Sequence, residues 1–375
     1  MFAVVRGGTA LASGGPGQPR RATTREASVD PVDVMAVVGA CAPERARFAR
    51  ETARHTGRML VSAQRVGASP EPVAEAMSLL PWCSRPQGAV VEFPECTDVT
   101  EVIGASAAAD SGVVLTGVLC VVDATHLLAE LHREDCVIHP ALPHARPRHT
   151  ARALLGVMCV EFASAVVLVN WEPLTTPELS TVMALVNHLG PRARLRLHHG
   201  ERDPWLREIA ASATRYDVTQ ERSGWVTLLN REHDPYMTDP RVTALHYENV
   251  RPLHPGRLAR LLDRRIESGE FGTVVRSAGF CRLATRSHLI ARWNHVGRMI
   301  CLSPLVGDDH VAEGEELLAL GQDLGIIGLD LDAPALCTAL DDAALTDDEL
   351  AAGPGAWATF EDPFPAWPTL SGRSG

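Results

Sequence analysis

From Val32 to about residue 215 the chain alternates short, continuously apolar runs with amphipathic stretches, and this alternation decides the fold class. "VDVMAVVG", "RMLVSA", "GAVVEF", "GVVLTGVLCVVDA", "AVVLVN" and "ARLRLHHG" lack the polar alternation of a half-exposed strand, as strands buried on both faces should. Between them lie "APERARFARETARHTG", "SPEPVAEAMSLL", "DVTEVIGASAAA", "HTARALLGVMCVEFASA" and "TPELSTVMALVNHLG". Pro43 opens the first of these helices and Gly57 closes it, and Ser69 with Pro70 marks the expected start of the second. The pattern predicts an α/β fold over residues 31–220: a doubly wound parallel sheet with helices on both faces and its ligand edge at the carboxyl ends of the strands.

Residues 221–241 are polar and turn-rich and read as a linker. A different grammar follows over 242–340. "VTALHYENV" reads as a strand, "HPGRLARLLDRRIESG" as a helix with Leu258, Leu261 and Leu262 on one face, and "GTVVRSAGFCRLA" and "LIARWNHVGRMICLS" as two strands. With "GEELLALGQDLG" as a helix and "ALCTAL" as a strand, the order is β-α-β-β-α-β, a ferredoxin-like α+β pattern. Residues 1–30 read as a disordered leader, and 341–375 as an acidic helical turn followed by an aromatic, Pro-containing segment.

Composition narrows the chemistry. There is no lysine, so all 35 basic residues are Arg, and a Schiff-base lysine or a lysine at a phosphate is excluded. A net charge of −11 argues against a general nucleic-acid coat, though not against a local basic patch. No apolar run reaches the ~18–20 residues of a membrane helix. The 9 cysteines form no C-x-x-C pair, and with no secretory leader pattern they are expected to be reduced thiols in a cytoplasmic protein.

The turn after the first strand, "VVGACAPERA", stands where a phosphate loop, G-x-x-x-x-G-K-S/T, would lie. Gly39 fills the first glycine position. Glu44 stands at the second, Arg45 at the lysine and Ala46 at the hydroxyl that would hold Mg²⁺. The residues leave two readings open: a nucleotide site with Arg45 as its cation, or a turn that only shapes the crossover.

The second half carries a more specific signal. "VRPLHPGRLARLLDRRIESGEFGTVVRSAGFCRLATRSHLIARWNHVG" resembles the C-terminal module of the CobW-like P-loop GTPase family, through Arg251, Pro252, His254, Pro255, Arg257, Leu258, Val275, Arg276, Gly279, Leu283, Ala284, Trp293 and Gly297; Ala278 replaces the family's lysine. "VVEFPECTDV" is similar to the family's E-x-T-G-x-x-D-P segment at Glu92 and Asp98, "GVLCVVDA" to its V-D-A strand at Asp123, and Asn170 to the first residue of its N-K-x-D motif, whose aspartate is here Pro173. The C-x-C-C metal motif of the family is absent. The tail, through Thr346-Asp347-Asp348-Glu349-Leu350, Trp357, Asp362-Pro363-Phe364 and Trp367, resembles an actinobacterial branch described as ribosome hibernation factor-recruiting GTPases linked to zinc limitation.

The resemblance implies a P-loop-like domain followed by a CobW C-terminal-like domain. It also implies a degenerate site for GTP and Mg²⁺ formed by Gly39, Arg45, Glu92, Asp98 and Asn170. Its implied partner is the ribosome or a hibernation factor, and its implied function is recruitment or docking under zinc limitation. The alternative is a zinc or cobalt chaperone-type GTPase, with the identity of any metal open. Outside the resemblance, His132, His139, His144, His149, Asp135 and Cys136 make either a Zn²⁺ site or a solvated loop. Trp357, Phe360, Phe364 and Trp367 either anchor a partner or strap the tail over its own domain.

Overall fold

The structure is a computed structural model; it describes residues 31–82, 86–108, 111–139, 148–200, 205, 208, 216, 222–307 and 321–367. In chain order the first domain runs β1 (Val32–Val38), α1 (Ala42–Thr56), β2 (Met59–Val61), α2 (Ala63–Val66), α3 (Pro72–Leu79), β3 (Ala89–Glu92), α4 (Val99–Ala107), β4 (Val113–Asp123), α5 (Leu127–Leu131), β5 (Cys136–His139), β6 (Arg148–Ala151), α6 (Arg152–Glu161), β7 (Ala165–Val169), α7 (Thr176–Leu189) and β8 (Arg194–Leu197).

Six of these strands form a parallel sheet in the order β2-β3-β1-β4-β7-β8. Along β1, Val34, Ala36 and Val38 enter the core on one face, while Met35 and Val37 enter a second core against Phe48, Ala49 and Ala53 of α1. Both faces are dry, which is why the runs are continuously apolar. The doubly wound reading therefore holds. Helix α3 begins later than its punctuation suggested. Glu71 precedes it and Pro72 is its first residue, while Ser69 and Pro70 make the turn before it, with the Ser69 hydroxyl accepting from Glu71 N at 3.2 Å.

The stretch 221–241, read as a linker, contains a packed helix, Gly224–Leu229, with Trp225, Val226 and Leu228 buried. Beyond it are β9 (Val242–Asn249), a helix Pro255–Leu261 continued by a π turn at Leu262–Ile266, β10 (Thr273–Cys281), β11 (Leu289–Val296), β12 (Met299–Gly307), β13 (Gln322–Leu329) and a helix Ala333–Ala343. The strands form an antiparallel sheet in the order β12-β11-β10-β13-β9.

The α+β class holds, with three corrections to its elements. "LIARWNHVGRMICLS" is two strands, hinged at Gly297, whose φ of 55° suits glycine. Gln322 to Gly325 of "GQDLG" belong to β13, and residues 308–320 lie outside the described residues. "ALCTAL" is helix, not strand. Asp332 caps it by accepting from Ala335 N at 3.1 Å, and Leu336, Ala339, Leu340 and Ala343 are buried at helical spacing.

One face of this sheet packs Tyr247, Trp293 and Leu324 against Leu258, Leu336 and Leu340 of the two helices. The other face meets the first domain: Val275, Val296, Ile327 and Leu329 share a core with Val182 and Leu185 of α7. Inside that contact the Arg276 guanidinium donates from Nε to Glu161 Oε1 at 2.7 Å, and each residue is 1% exposed.

The tail folds back on its own domain. Phe360 stacks on His254 with ring centroids 4.5 Å apart, and Trp367 donates from Nε1 to Leu302 O at 2.9 Å beneath the Arg286 guanidinium. Arg257 pairs with Glu349 at 2.6 Å. Of the two readings of these aromatics, the strap is the one observed. Trp367→Ala is expected to speed protease cleavage within residues 353–367 severalfold while leaving the melting of the rest of the domain within about 1 kcal/mol; unchanged cleavage would show that the indole does not hold the strap. Among the described residues no helix is long and apolar enough to cross a membrane.

Candidate functional site

The carboxyl ends of β1, β3, β4 and β7 gather the residues expected from sequence, but in separate arrangements. Gly39 follows β1 with φ 136°, and a β-carbon there would strike the carbonyl oxygen of Val121 on β4. Glycine is therefore required by the sheet itself, independently of any phosphate. The turn is short. Helix α1 starts at Ala42, so Ala42, Pro43 and Glu44 already lie in its first turn, with Arg45 N bonded to Cys41 O at 3.0 Å. A phosphate cradle needs these positions looped so that successive N–H groups face the anion, and here they are wound, with a proline among them.

Arg45 is 3% exposed and turns inward. Its Nη1 donates to Gly39 O and its Nε to Glu92 Oε1 at 3.3 Å. The other oxygen of Glu92 accepts from Ala63 N at 3.1 Å. Gly39, Arg45 and Glu92 are thus brought together, as a buried ion pair that ties β1, β3 and α2. Asp98 is apart from them: it caps α4, accepting from Thr100 N at 2.9 Å and Thr100 Oγ1 at 2.7 Å. With Ala46 lacking a hydroxyl, Glu92 engaged and Asp98 capping a helix, these residues do not fit Mg²⁺ held against a triphosphate.

Asn170 follows β7 in the left-handed region, φ 53°, and donates from Nδ2 to Asp123 Oδ2 at 2.7 Å. Asp123 also accepts from Thr125 N at 2.9 Å and Thr125 Oγ1 at 2.6 Å, with His126 Nδ1 at 3.1 Å. Burial alone would raise this carboxyl, but the hydrogen bonds outweigh it and hold it below the ordinary aspartate value. Close by, burial and the Asp123 charge push the Cys41 thiol up to about 11, and burial pushes Cys159 to about 12. These thiols are protonated at neutral pH and are poor metal ligands or nucleophiles as they stand.

Beside Asn170 a cleft of about 360 Å³ opens between α1 and the ends of β7 and β8, lined by Glu44, Phe48, Glu51, Glu172, His198 and His199. His198 Nε2 lies 3.1 Å from Glu51 Oε2, and Trp171 Nε1 donates to His198 O at 3.1 Å. Glu51 was not singled out by sequence, since a glutamate inside a helix carries no signal of its partner 147 residues further on. The histidine group of the 132–149 region does not assemble among the described side chains. Asp135 is bound by Arg133 and Arg152, at 2.9 and 2.6 Å, and His132 Nδ1 lies 2.7 Å from Leu128 O; His144 lies outside the described residues.

Residues 242–344 match the cobalamin synthesis protein cobW C-terminal domain, so the second half of the chain carries that module, behind an α/β domain. It is 25% identical over 233 residues to zinc-regulated GTPase metalloprotein activator 1 of Dictyostelium discoideum, covering 55% of this chain and 46% of that protein. The chain thus spans about half the length of the curated relative it matches. Two solved structures are similar at a lower level. A Zn(II)-bound triple mutant of YjiA GTPase aligns at 13% identity and TM-score 0.39, and Zn(II)-bound YjiA GTPase from E. coli at 12% and 0.34; each alignment covers 84% of this chain and 100% of the other.

Proposed function

We propose that this CobW-like chain acts by docking to a partner rather than by hydrolysing a nucleotide, and that the partner is the ribosome or a hibernation factor engaged under zinc limitation. The observation that carries the first half is the fate of Arg45. The one cation at the lysine position of the turn is 3% exposed and spent on Glu92 and Gly39 O. Phosphoryl transfer rests on cations positioned at the developing charge, and without them several kcal/mol of transition-state stabilisation are lost. The choice of partner rests on the resemblance of the tail segment 346–367. Because the aromatics of that segment pack on their own domain, partner contact is assigned to the surface outside them.

Calorimetry with GTP and Mg²⁺ on the full chain is expected to give no binding at micromolar concentration, and co-sedimentation is expected to carry the protein with ribosomes from zinc-limited cells. Micromolar binding with turnover would overturn the first statement. Absence from ribosomes in both zinc-limited and zinc-replete cells would overturn the second.

The rival reading, a GTP-binding metal chaperone, is favoured by the similarity to a relative named as a zinc-regulated GTPase metalloprotein activator and by the cleft beside Asn170. Under it, nucleotide would be held through the cleft and not through the wound first turn of α1, and the same calorimetry decides between the two.

A further inference from the structure

Three metal-ligand side chains converge on the C-terminal sheet, away from the crossover site. His246 and Glu248 are alternate residues of β9 and so share a face, and Asp323 of β13 stands opposite Glu248 in the ladder. His246 Nε2 lies 2.6 Å from Asp323 Oδ1 and 3.9 Å from Glu248 Oε1, and one donor atom from each residue lies within 4.8 Å of the others. Glu248 is oriented from outside: Arg231 Nη2 donates to its Oε2 at 2.8 Å, leaving Oε1 turned to the imidazole. Arg231 reaches this place because it leaves the helix Gly224–Leu229 through a left-handed conformation, φ 58°. Gly325 is the ladder partner of His246 and brings no side chain to the cluster. The side chains are 15% exposed at His246, 26% at Asp323 and 55% at Glu248, so the group is half-buried and open to solvent on the glutamate side.

We propose that His246, Asp323 and Glu248 form a binding site for a divalent transition metal of the zinc–cobalt class, with solvent in the remaining position. The donor set decides the class. One imidazole and two carboxylates suit a borderline cation, whereas Ca²⁺ and Mg²⁺ prefer all-oxygen shells of six or more. Donors on a tetrahedral ion with ~2.0 Å bonds stand roughly 3.3 Å apart. The 2.6 Å pair therefore opens, the 3.9 Å pair closes, and the adjustment falls on side chains of a rigid ladder. The ion takes the place of the hydrogen bond between Nε2 and Oδ1, and the neutral imidazole that ligates it through Nε2 carries its one proton on Nδ1. Arg231 acts as a positioning residue that fixes which glutamate oxygen faces the ion. This site is independent of the nucleotide question, since no residue of it touches the crossover.

The test is titration of the full, chelator-treated chain with Co²⁺ and then Zn²⁺, read by calorimetry and visible absorption. Wild type is expected to take up one equivalent with four-coordinate ligand-field bands and no thiolate charge-transfer band. His246→Ala should lose that equivalent, Glu248→Gln should weaken it, and Arg231→Ala should weaken it by about tenfold. Glu248→Gln changes an exposed rim residue, so it reports even where His246→Ala unfolds. Equal stoichiometry and affinity in wild type and Glu248→Gln, or cobalt bound only through cysteine, would reduce the cluster to an ordinary ion-pair network and overturn the proposal.

Discussion

Glu161→Ala is expected to lower the unfolding free energy by about 3–5 kcal/mol, among the largest effects of any single substitution in the chain. Glu161 ends α6 in the first domain and Arg276 lies on β10 in the second, and both are 1% exposed. Among the described residues the guanidinium otherwise has neutral acceptors: Ser277 O, His295 O and Asn294 Oδ1, each at 3.2 Å. Removing the carboxylate leaves a charge that water cannot reach. The asymmetry is the informative part. A double replacement, Glu161→Leu with Arg276→Met, should cost far less than the sum of the single changes, because an apolar pair leaves nothing unpaired. Denaturant unfolding of the four proteins checks this; a single-mutant loss below about 1 kcal/mol would show that the pair does not hold the two halves together.

The second large effect is acid sensitivity in a defined window. Burial lowers His188 to about 4, helped by neighbouring His233, and lowers His295 to about 4, helped by Arg276. The hydrogen bonds show why these rings stay neutral. Trp293 Nε1 donates to Ser277 Oγ at 2.8 Å, and that hydroxyl sits 3.1 Å from His295 Nδ1, which accepts its proton. Thr227 donates to Gly224 O at 2.8 Å, so it accepts from His233 Nδ1, and His233 Nε2 in turn accepts from His188 Nδ1 at 3.1 Å.

The unfolded chain takes up these protons below its ordinary histidine value of 6.5, and the folded chain does so only near 4. Unfolding therefore binds protons in between, and stability falls as pH drops from 6.5 toward 4 and is fully present above it. Each site contributes about 3 kcal/mol over the whole window. Melts at pH 7.5 and 5 should differ by several degrees, and His188→Gln should flatten the slope; an unchanged slope would show that its proton is not the one being counted.

How much of this was legible in the sequence depended on how local the cause was. The parallel sheet could be read because burial on both faces writes itself into continuous runs such as "AVVLVN". "ALCTAL" misled because a six-residue run, apolar but for Thr338, fits a strand or a helix turn, and the arbitrating residues, Asp332 before it and Ala343 after it, lie outside the run. Gly39, Arg45 and Glu92 could be found by position, but not that Arg45 folds inward, since its partner lies 47 residues away. His246 and Asp323 are 77 apart and meet only through strand pairing, which no spacing rule exposes.

The early start of α1 sets a limit on re-engineering this turn. A lysine placed at position 45 would stand on a segment already coiled, facing the interior beside Glu92. Building a triphosphate grip here would require melting that opening coil, replacing Pro43 and finding a new counter-ion for Glu92. No one exchange converts the turn into an anion cradle.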